Sequence, residues 1–347
     1  MNQTLNGIRR ILITILVAMG VGALFIVAIG ENPIDAYAAL FRGAFDGELR
    51  LGTTLAGFTP LLLTSIAFAV AAKAGAFNVG VEGEVFLGGI TAAYIGINWT
   101  FLPKPALYVA CFVGAMVVAA AWAFIPAVLR AYYNVNEVCT TILMNTVALY
   151  ITSYLVSGPM SAGTANAQSL PVTVRLYQFM KPSSVNVGIF IAAITVIVII
   201  FMLQKSSWGY KIRTVGLNPT HADYVGIDSK KVFVGAMMLS GMLGGMAGCI
   251  EVLGVHGYFL NNFATGLGSN GMLAALIVKN NMVSTPFMAF FLAVLKSGAM
   301  GMQQSTGVPK SLVDTITAVF IIIATMETAF QFTKKRKKKT EEKEDKA

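Results

Sequence analysis

The sequence predicts an all-α, polytopic membrane protein with about ten transmembrane helices, one broken or re-entrant segment and both termini in the cytoplasm. Three observations predict this class. Apolar residues make up 56% of the 347 residues and charged residues only 12%. Apolar runs of about 20 residues recur along the chain, which is the length needed to cross a bilayer. Basic residues precede the first run, fill a central loop and follow the last run, as the positive-inside rule requires of cytoplasmic segments.

The first half of the chain contains five expected spans. Arg9 and Arg10 precede the first span, residues 11–29, and therefore place the N-terminus in the cytoplasm. Residues 31–50 carry four acids and have apolar residues at helical spacing, which predicts an amphipathic helix on the outer surface. The second span is expected at residues 51–71. The third ends near Ile97, the fourth covers residues 106–129, and the fifth opens at residues 134–137.

In the second half, an external loop at residues 157–184 leads to a sixth span at residues 185–203. The seventh span, residues 232–253, has four glycines on one helix face, which permits close helix packing. Residues 255–270 are irregular and residues 272–278 are too short to cross alone. Such a broken segment is tolerated in a membrane where protein or a water-filled cavity covers it. The last spans are expected at residues 285–302 and 311–330.

The central loop, residues 205–231, contains five basic residues and two acids. The positive-inside rule places it in the cytoplasm. Asn218 or Thr220 beside Pro219 is a helix-start signal and Gly226 is a stop signal. A short cytoplasmic helix of this kind is suited to receive a push from a soluble partner. An ordinary solvated connector is the alternative.

Charge and motifs exclude several function classes. The net charge is +9, but a run of six basic residues at 334–339 follows the last span, which is typical of a cytoplasmic stop and lipid anchor and not of nucleic-acid binding. We therefore expect a membrane domain at residues 1–333 and a disordered tail at residues 334–347.

Neither a P-loop nor a Ser/His/Asp or HExxH pattern is present, so we expect no catalytic residues and no nucleotide site. His221 and His256 are too few and too far apart for a metal site, and the three cysteines are expected to be free, buried thiols.

Polar residues inside apolar spans are costly and are candidate functional residues. Glu82 and Glu84 lie beside glycines at an expected helix start, where capping and pore lining are equally good explanations. Asn136 opens a presumed helix on which Thr141 and Asn145 lie one turn apart, and these three residues favour either a polar stripe facing a cavity or hydrogen bonds between packed helices.

Four stretches carry a resemblance to a known family. Residues 59–63 followed by residues 76–84 look like the FNIGxEGQ element, with Glu84 where Gln is usual. Residues 213–227 resemble the RAVGxN coupling segment, with Asp223 where a second Ala is common. Residues 136–145 look like the NEVVTTIMLN element of nucleoside-type permeases, and residues 266–286 resemble the late glycine-rich half-helix. Over residues 53–330, the chain resembles the membrane subunits of ABC importers of the ribose, branched-chain amino acid and nucleoside branch.

This resemblance implies a non-enzymatic, multi-pass permease subunit in a bacterial cell membrane that transports nucleosides. The implied partners are a second, related permease, a cytoplasmic ABC ATPase that hydrolyses ATP, and an extracellular substrate-binding lipoprotein. No cofactor is expected on this chain. Amide and hydroxyl groups suit a neutral nucleoside. The expected substrate-pathway residues are Asn78, Glu82, Asn136, Thr141 and Asn145, and the expected ATPase-coupling residues are Asn218, Pro219, His221, Ala222, Tyr224 and Gly226.

Two alternatives stay open at this point. An ABC permease for a simple sugar such as ribose, or for branched-chain amino acids, would share the architecture and differ in the chemistry of its cavity. A secondary transporter or channel would have the same helices and broken segment without a partner ATPase.

Overall fold

The computed structural model describes residues 19–28 and 30–306, together with positions 311, 314, 315 and 318. Regular structure in these residues is helical, and β-type contacts are limited to three isolated bridges. The described chain forms two units, one up to Asp46 and from Val294 onward, the other Gly47–Ala293. Helix α1 contains Met19–Ala28. The following helices are α2 (Pro33–Phe45), α3 (Gly47–Lys73), α4 (Val81–Asn98), α5 (Lys104–Tyr133), α6 (Glu137–Ser157), α7 (Gly188–Lys205), α8 (Ser207–Leu217), α9 (Pro219–Tyr224), α10 (Ser229–Ile250), α11 (Leu267–Ile277) and α12 (Thr285–Thr306).

Six helices in the described residues are long and apolar enough to cross a membrane. They are α3, α5, α6, α7, α12, and α10 with its continuation to His256. Counting α1 and α2 as one bent span, with an angle of 115° between them, makes seven. This confirms an all-helical, multi-pass membrane protein. The remainder of the predicted first span, the predicted span at residues 311–330 apart from four positions, and the basic tail lie outside the described residues.

In the first unit, α2 confirms a helix within the predicted amphipathic stretch, but that helix ends earlier than residue 50. Asn32 caps its start by accepting a hydrogen bond from Ile34 N at 3.0 Å. Asp46 ends it, and α3 begins at the next residue. The helix packs closely on the second half of α12, because a Cβ on Gly43 would lie 2.7 Å from Gly301 Cα.

The second unit is built around the glycine face of α10. A Cβ on Gly245 would lie 2.4 Å from the Ala115 carbonyl oxygen in α5, and one on Gly248 would lie 2.0 Å from the Val85 carbonyl oxygen in α4. Any larger residue would therefore separate the helices. The predicted close packing is confirmed, and the glycines admit two neighbouring helices instead of one.

Helix α10 ends in an irregular segment, as predicted. Glu251–His256 form one π-helical stretch, and Gly257 then takes a left-handed conformation with φ of 78°. The non-helical segment at residues 169–178 covers the free carbonyls. Val172 N donates to Gly257 O at 2.9 Å, and Leu176 N donates to Leu253 O at 2.8 Å. Protein thus covers the irregular backbone. The short helix α11, 11 residues long, confirms the predicted short eighth segment.

Helix α6 is poorly covered by the rest of the chain. Leu143, Tyr150 and Tyr154 are each at least 65% exposed on it. Cys139 is exposed for the same reason, so the prediction that it is a buried thiol was wrong, whereas Cys111 and Cys249 are free and buried as predicted. An apolar neighbourhood in the sequence indicates burial in lipid or in protein and does not distinguish the two.

Candidate functional site

The loop between α3 and α4 carries the first group of predicted residues. Asn78 is 1% exposed and uses both ends of its amide. Its Oδ1 accepts from Gly80 N at 2.9 Å, and its Nδ2 donates at 2.9 Å to both Glu84 Oε1 and Ser240 Oγ. Ser240 belongs to α10, so one buried side chain joins the loop, the first turn of α4 and α10.

Glu84 lies in the first turn of α4 and is also 1% exposed. Its Oε1 is bonded to Asn78, while its Oε2 has no hydrogen-bond partner. A Cβ on Gly244 would lie 3.0 Å from that oxygen. The carboxyl is therefore packed against the glycine face of α10, and nothing in this packing leaves it open to a solute.

Asn145 and Thr141 reach the same loop from α6. Asn145 Nδ2 donates to Val79 O at 2.9 Å, and its Oδ1 accepts from Gly83 N at 2.8 Å. It thereby satisfies one of the free N–H groups at the start of α4. Thr141 is 1% exposed and donates to the Glu137 carbonyl of its own helix at 2.7 Å.

Asn136 has a different role from these residues, because its side chain caps α6. Its Oδ1 accepts hydrogen bonds from Val138 N at 2.9 Å and from Cys139 N at 3.3 Å. Next to it, Glu137 forms an ion pair with Arg130 Nε of α5 at 3.1 Å. The residues of the predicted stripe thus have separate hydrogen-bonding tasks: the first caps a helix, and Asn145 bonds a second helix.

Glu82 keeps a half-buried carboxylate at the junction of α4 and α11. Ser269 Oγ of α11 donates to Glu82 Oε2 at 3.2 Å. The two helices touch through backbone, since a Cβ on Gly268 would lie 2.5 Å from Glu82 N. Glu82 is the one carboxylate among the predicted pathway residues. The hydrogen bond from Ser269 uses its Oε2, and its second carboxylate oxygen, Oε1, takes no part in that bond.

Helices α8 and α9 form the predicted coupling region. Asn218 caps α9 by accepting from His221 N at 3.0 Å, Pro219 is its first residue, and Gly226 follows its end with φ of 80°. This confirms the predicted short helix. Helix α8 was not predicted, although Ser206 provides its cap by accepting from Gly209 N at 3.1 Å. Together they make a helical pair where the sequence predicted one short helix.

The helical pair is attached on one side and open on the other. Ala222 is fully buried in the main core, whereas Leu217 is 88% and Tyr224 86% exposed. Asp223, which stands where a second Ala is common in the similar coupling segment, accepts from Ser229 N and Ser229 Oγ, both at 2.9 Å, and so joins α9 to α10.

Asp228 caps α10 from outside the membrane span. The backbone N–H of Lys231, followed by the ammonium group of the same residue, lowers the pKa of the Asp228 carboxyl below its ordinary value. The cap is therefore charged at neutral pH, where it favours the helix N-terminus.

A half-open cavity of about 350 Å³ lies at the other end of α4. Thr91, Tyr94 and Asn98 supply its polar groups, and the lining is completed by Leu155 of α6 and by the loop that follows α6. In the described residues, no three His, Cys, Asp or Glu side chains come together to hold a metal ion.

Three interhelix residues were not identified from sequence as site residues: Ser240, Ser269 and Asp223. A lone hydroxyl within a glycine-rich apolar helix was the available signal for Ser240. The partners of Ser240 and Ser269 are distant in sequence, at separations of 162 and 187 residues, so periodicity could not supply them. Asp223 instead bonds Ser229, six residues further along, across the turn between α9 and α10.

Comparison with known proteins relates the chain to transporter permeases. Residues 50–325 match the family described as branched-chain amino acid transport system / permease component. The chain is 33% identical to the guanosine ABC transporter permease NupP of Bacillus subtilis (strain 168), over 94% of this chain and 96% of that protein. It is 32% identical to the glucose ABC transporter permease TsgB13 of Haloferax volcanii (89% and 85%), and 30% identical to the nucleoside ABC transporter permease NupB of Lactococcus lactis subsp. cremoris (92% and 91%). The chain belongs to the family of branched-chain amino acid transport system permease components.

Proposed function

We propose that this chain is the membrane-spanning subunit of an ATP-driven importer of nucleosides, coupled to a separate ATPase through residues 205–231. The observation that carries the substrate class is the identity of about one third, over nearly the whole chain, to permeases named for guanosine and for nucleosides. A simple sugar is the second candidate, favoured by the comparable identity to a glucose permease.

Ten crossings with both termini in the cytoplasm are part of this proposal. The ten proposed crossings are the six long helices together with four further segments: α1, α4, the short α11 and the predicted span at residues 311–330. Helix α4 has 18 residues, enough for a short span despite its two acids. The membrane is proposed to be the bacterial cell membrane. The proposed partners are a second, related permease, a cytoplasmic ABC ATPase that binds and hydrolyses the ATP, and an extracellular substrate-binding lipoprotein.

The proposed substrate pathway passes the start of α4, where Asn78, Glu82, Thr141 and Asn145 come from two helices and the loop between α3 and α4. Glu82 is the proposed substrate contact in this group, because a half-buried carboxylate can accept hydrogen bonds from ribose hydroxyls. Asn136 is proposed to line the inner end of the pathway, where it is exposed.

Coupling is proposed to act through α9 and its flanking residues. Nucleotide-driven closure of the ATPase pair would press on Asn218, Pro219, His221, Ala222, Tyr224 and Gly226. The exposed Leu217 and Tyr224 offer large apolar and aromatic surface to a partner, while buried Ala222 holds the helix to the membrane domain.

The test is uptake of radiolabelled guanosine, adenosine, ribose and glucose in cells with and without the chain, repeated with Ala222→Pro. Proline removes a backbone donor inside α9 and breaks the helix. We expect nucleoside uptake to require the chain and to be lost in the variant, with the protein still in the membrane. Ala165→Pro, in an exposed non-helical segment, is the matched control. Loss of glucose uptake alone would reassign the cargo, and a fully active Ala222→Pro variant would contradict the coupling role.

A further inference from the structure

We infer that the loop at residues 74–80 transmits the displacement of α8 and α9 to α4 and α6, and that Asn78 is the positioning residue at its centre. This inference rests on the proposed ATPase coupling. It gives Asn78 a task other than touching substrate, which fits an amide that is 1% exposed and bonded at both ends.

The first input to the loop is a backbone contact with α8. A Cβ on Gly216 would lie 2.0 Å from the Lys73 carbonyl oxygen, and one on Gly75 would lie 3.6 Å from Gly216 Cα. Two backbones that approach this closely leave no side chain between them to absorb a shift. A push on α8 therefore reaches the start of the loop directly.

The second input arrives through α10. Asp223 of α9 holds Ser229 at the start of α10 by two hydrogen bonds of 2.9 Å. Eleven residues later on the same helix, Ser240 Oγ accepts from Asn78 Nδ2 at 2.9 Å. A continuous α-helix connects the two sites, so α8 and α9 act on one loop from both of its sides.

The centre of the loop is a buried polar network. Asn78, Glu84 and Ser240 are each at most 1% exposed. Inside a low-dielectric core, hydrogen bonds of this kind are strong and their loss leaves unsatisfied groups, so the three side chains have a specified relative position. An apolar contact of the same size would permit sliding.

The outputs are the helices of the proposed pathway. Val79 O and Gly83 N, on either side of the α4 start, are both bonded to Asn145 of α6. The backbone of Glu82 lies against Gly268 of α11. Movement of the loop therefore changes the separation of α6 and α11 at the place where we propose that substrate passes.

Ser240→Ala is the first test variant, because it removes the bond from Asn78 to α10 and leaves both the bond that Asn78 accepts from Gly80 N and the bond that it donates to Glu84. Asn78→Asp is the second variant, since it keeps the shape of the side chain and removes the Nδ2 donor to both Glu84 Oε1 and Ser240 Oγ. Glu84→Gln keeps an acceptor for Asn78 and is the conservative variant. Ser65→Ala is the matched control: Ser65 is a fully buried serine whose hydroxyl donates within its own helix, to Leu62 O.

Each variant is reconstituted into liposomes with its partner subunits, and imported nucleoside is measured per ATP hydrolysed. For Ser240→Ala and Asn78→Asp we expect this ratio to fall about fivefold or more, with ATP hydrolysis still proceeding, because allosteric couplings have this size. Glu84→Gln and Ser65→Ala should keep the wild-type ratio. A purely structural role would lower import and hydrolysis in parallel, and an unchanged ratio in Ser240→Ala overturns the inference.

The wild-type complex separates this inference from the proposed function. If it imports glucose and no nucleoside, the substrate proposal fails and the ratio is measured with glucose. If it shows no ATP-driven import of any tested solute, both proposals are overturned.

Discussion

At the scale of single residues, the amide side chains near the start of α4 illustrate how one polar group can serve two elements. Asn145 donates to the Val79 carbonyl and accepts from Gly83 N. Asn78 does the same between the loop and α10. An amide is suited to this because it carries donors and an acceptor on one planar group. Both side chains therefore use donor and acceptor groups in hydrogen bonds within the protein.

Replacing Asn145 by Ala should destabilise the protein. The change leaves a backbone N–H and a carbonyl of the α4 start without partners, which costs about 1–3 kcal/mol for an unsatisfied buried group. Thermal unfolding in detergent measures the effect. Thr146→Ala, at the exposed neighbouring position on α6, is the control and should change stability by less than about 0.5 kcal/mol. Equal effects of the two substitutions would contradict the bridging role of Asn145.

At the scale of elements, helices in this protein meet through glycine backbone. The α10 face admits α4 and α5, and Gly216 of α8 rests on the end of α3. Such contacts let short helices act on long ones directly. The same contacts leave no room for a Cβ at these glycines, so a substitution to alanine would force the backbones apart.

Replacing Gly216 by Ala should displace α8 and impair coupling. The new Cβ would meet the Lys73 carbonyl oxygen at 2.0 Å, so the backbone has to move. We expect reduced ATP-driven import and reduced copurification of the ATPase. The control is Gly57→Ala, because a Cβ at Gly57 in α3 meets nothing within 4 Å and alanine favours a helix by about 1 kcal/mol. Normal import by Gly216→Ala would show that the contact is not needed.

At the scale of the whole molecule, topology is the property on which every functional assignment depends. The cavity beside Tyr94 and the helices α8 and α9 belong to opposite ends of the proposed spans. Lys104, Arg175 and Lys181 fall on the outer side in this arrangement, against the usual charge bias. The side of each loop is therefore worth measuring directly.

Single cysteines introduced into a cysteine-free variant report the side of each loop. Ala165→Cys, in the loop after α6, should react with a membrane-impermeant maleimide in intact cells. Thr220→Cys, exposed on α9, should react after permeabilisation and not before. Both positions reacting in intact cells would contradict the cytoplasmic location of α8 and α9.

The sequence by itself determined the class of protein, the order of the long apolar helices that the structure describes, the glycine face of α10 and the short helix after Asn218. These properties are local: a span is read from the length of an apolar run, and a helix end from a cap and a glycine. Only the tertiary structure decided what each polar residue does. Asn78 finds Ser240 162 residues away, and Cys139 is exposed although its surroundings in sequence are apolar. The physical reason is that the partner of a buried polar group is chosen by the packing of distant helices, about which local periodicity carries no information.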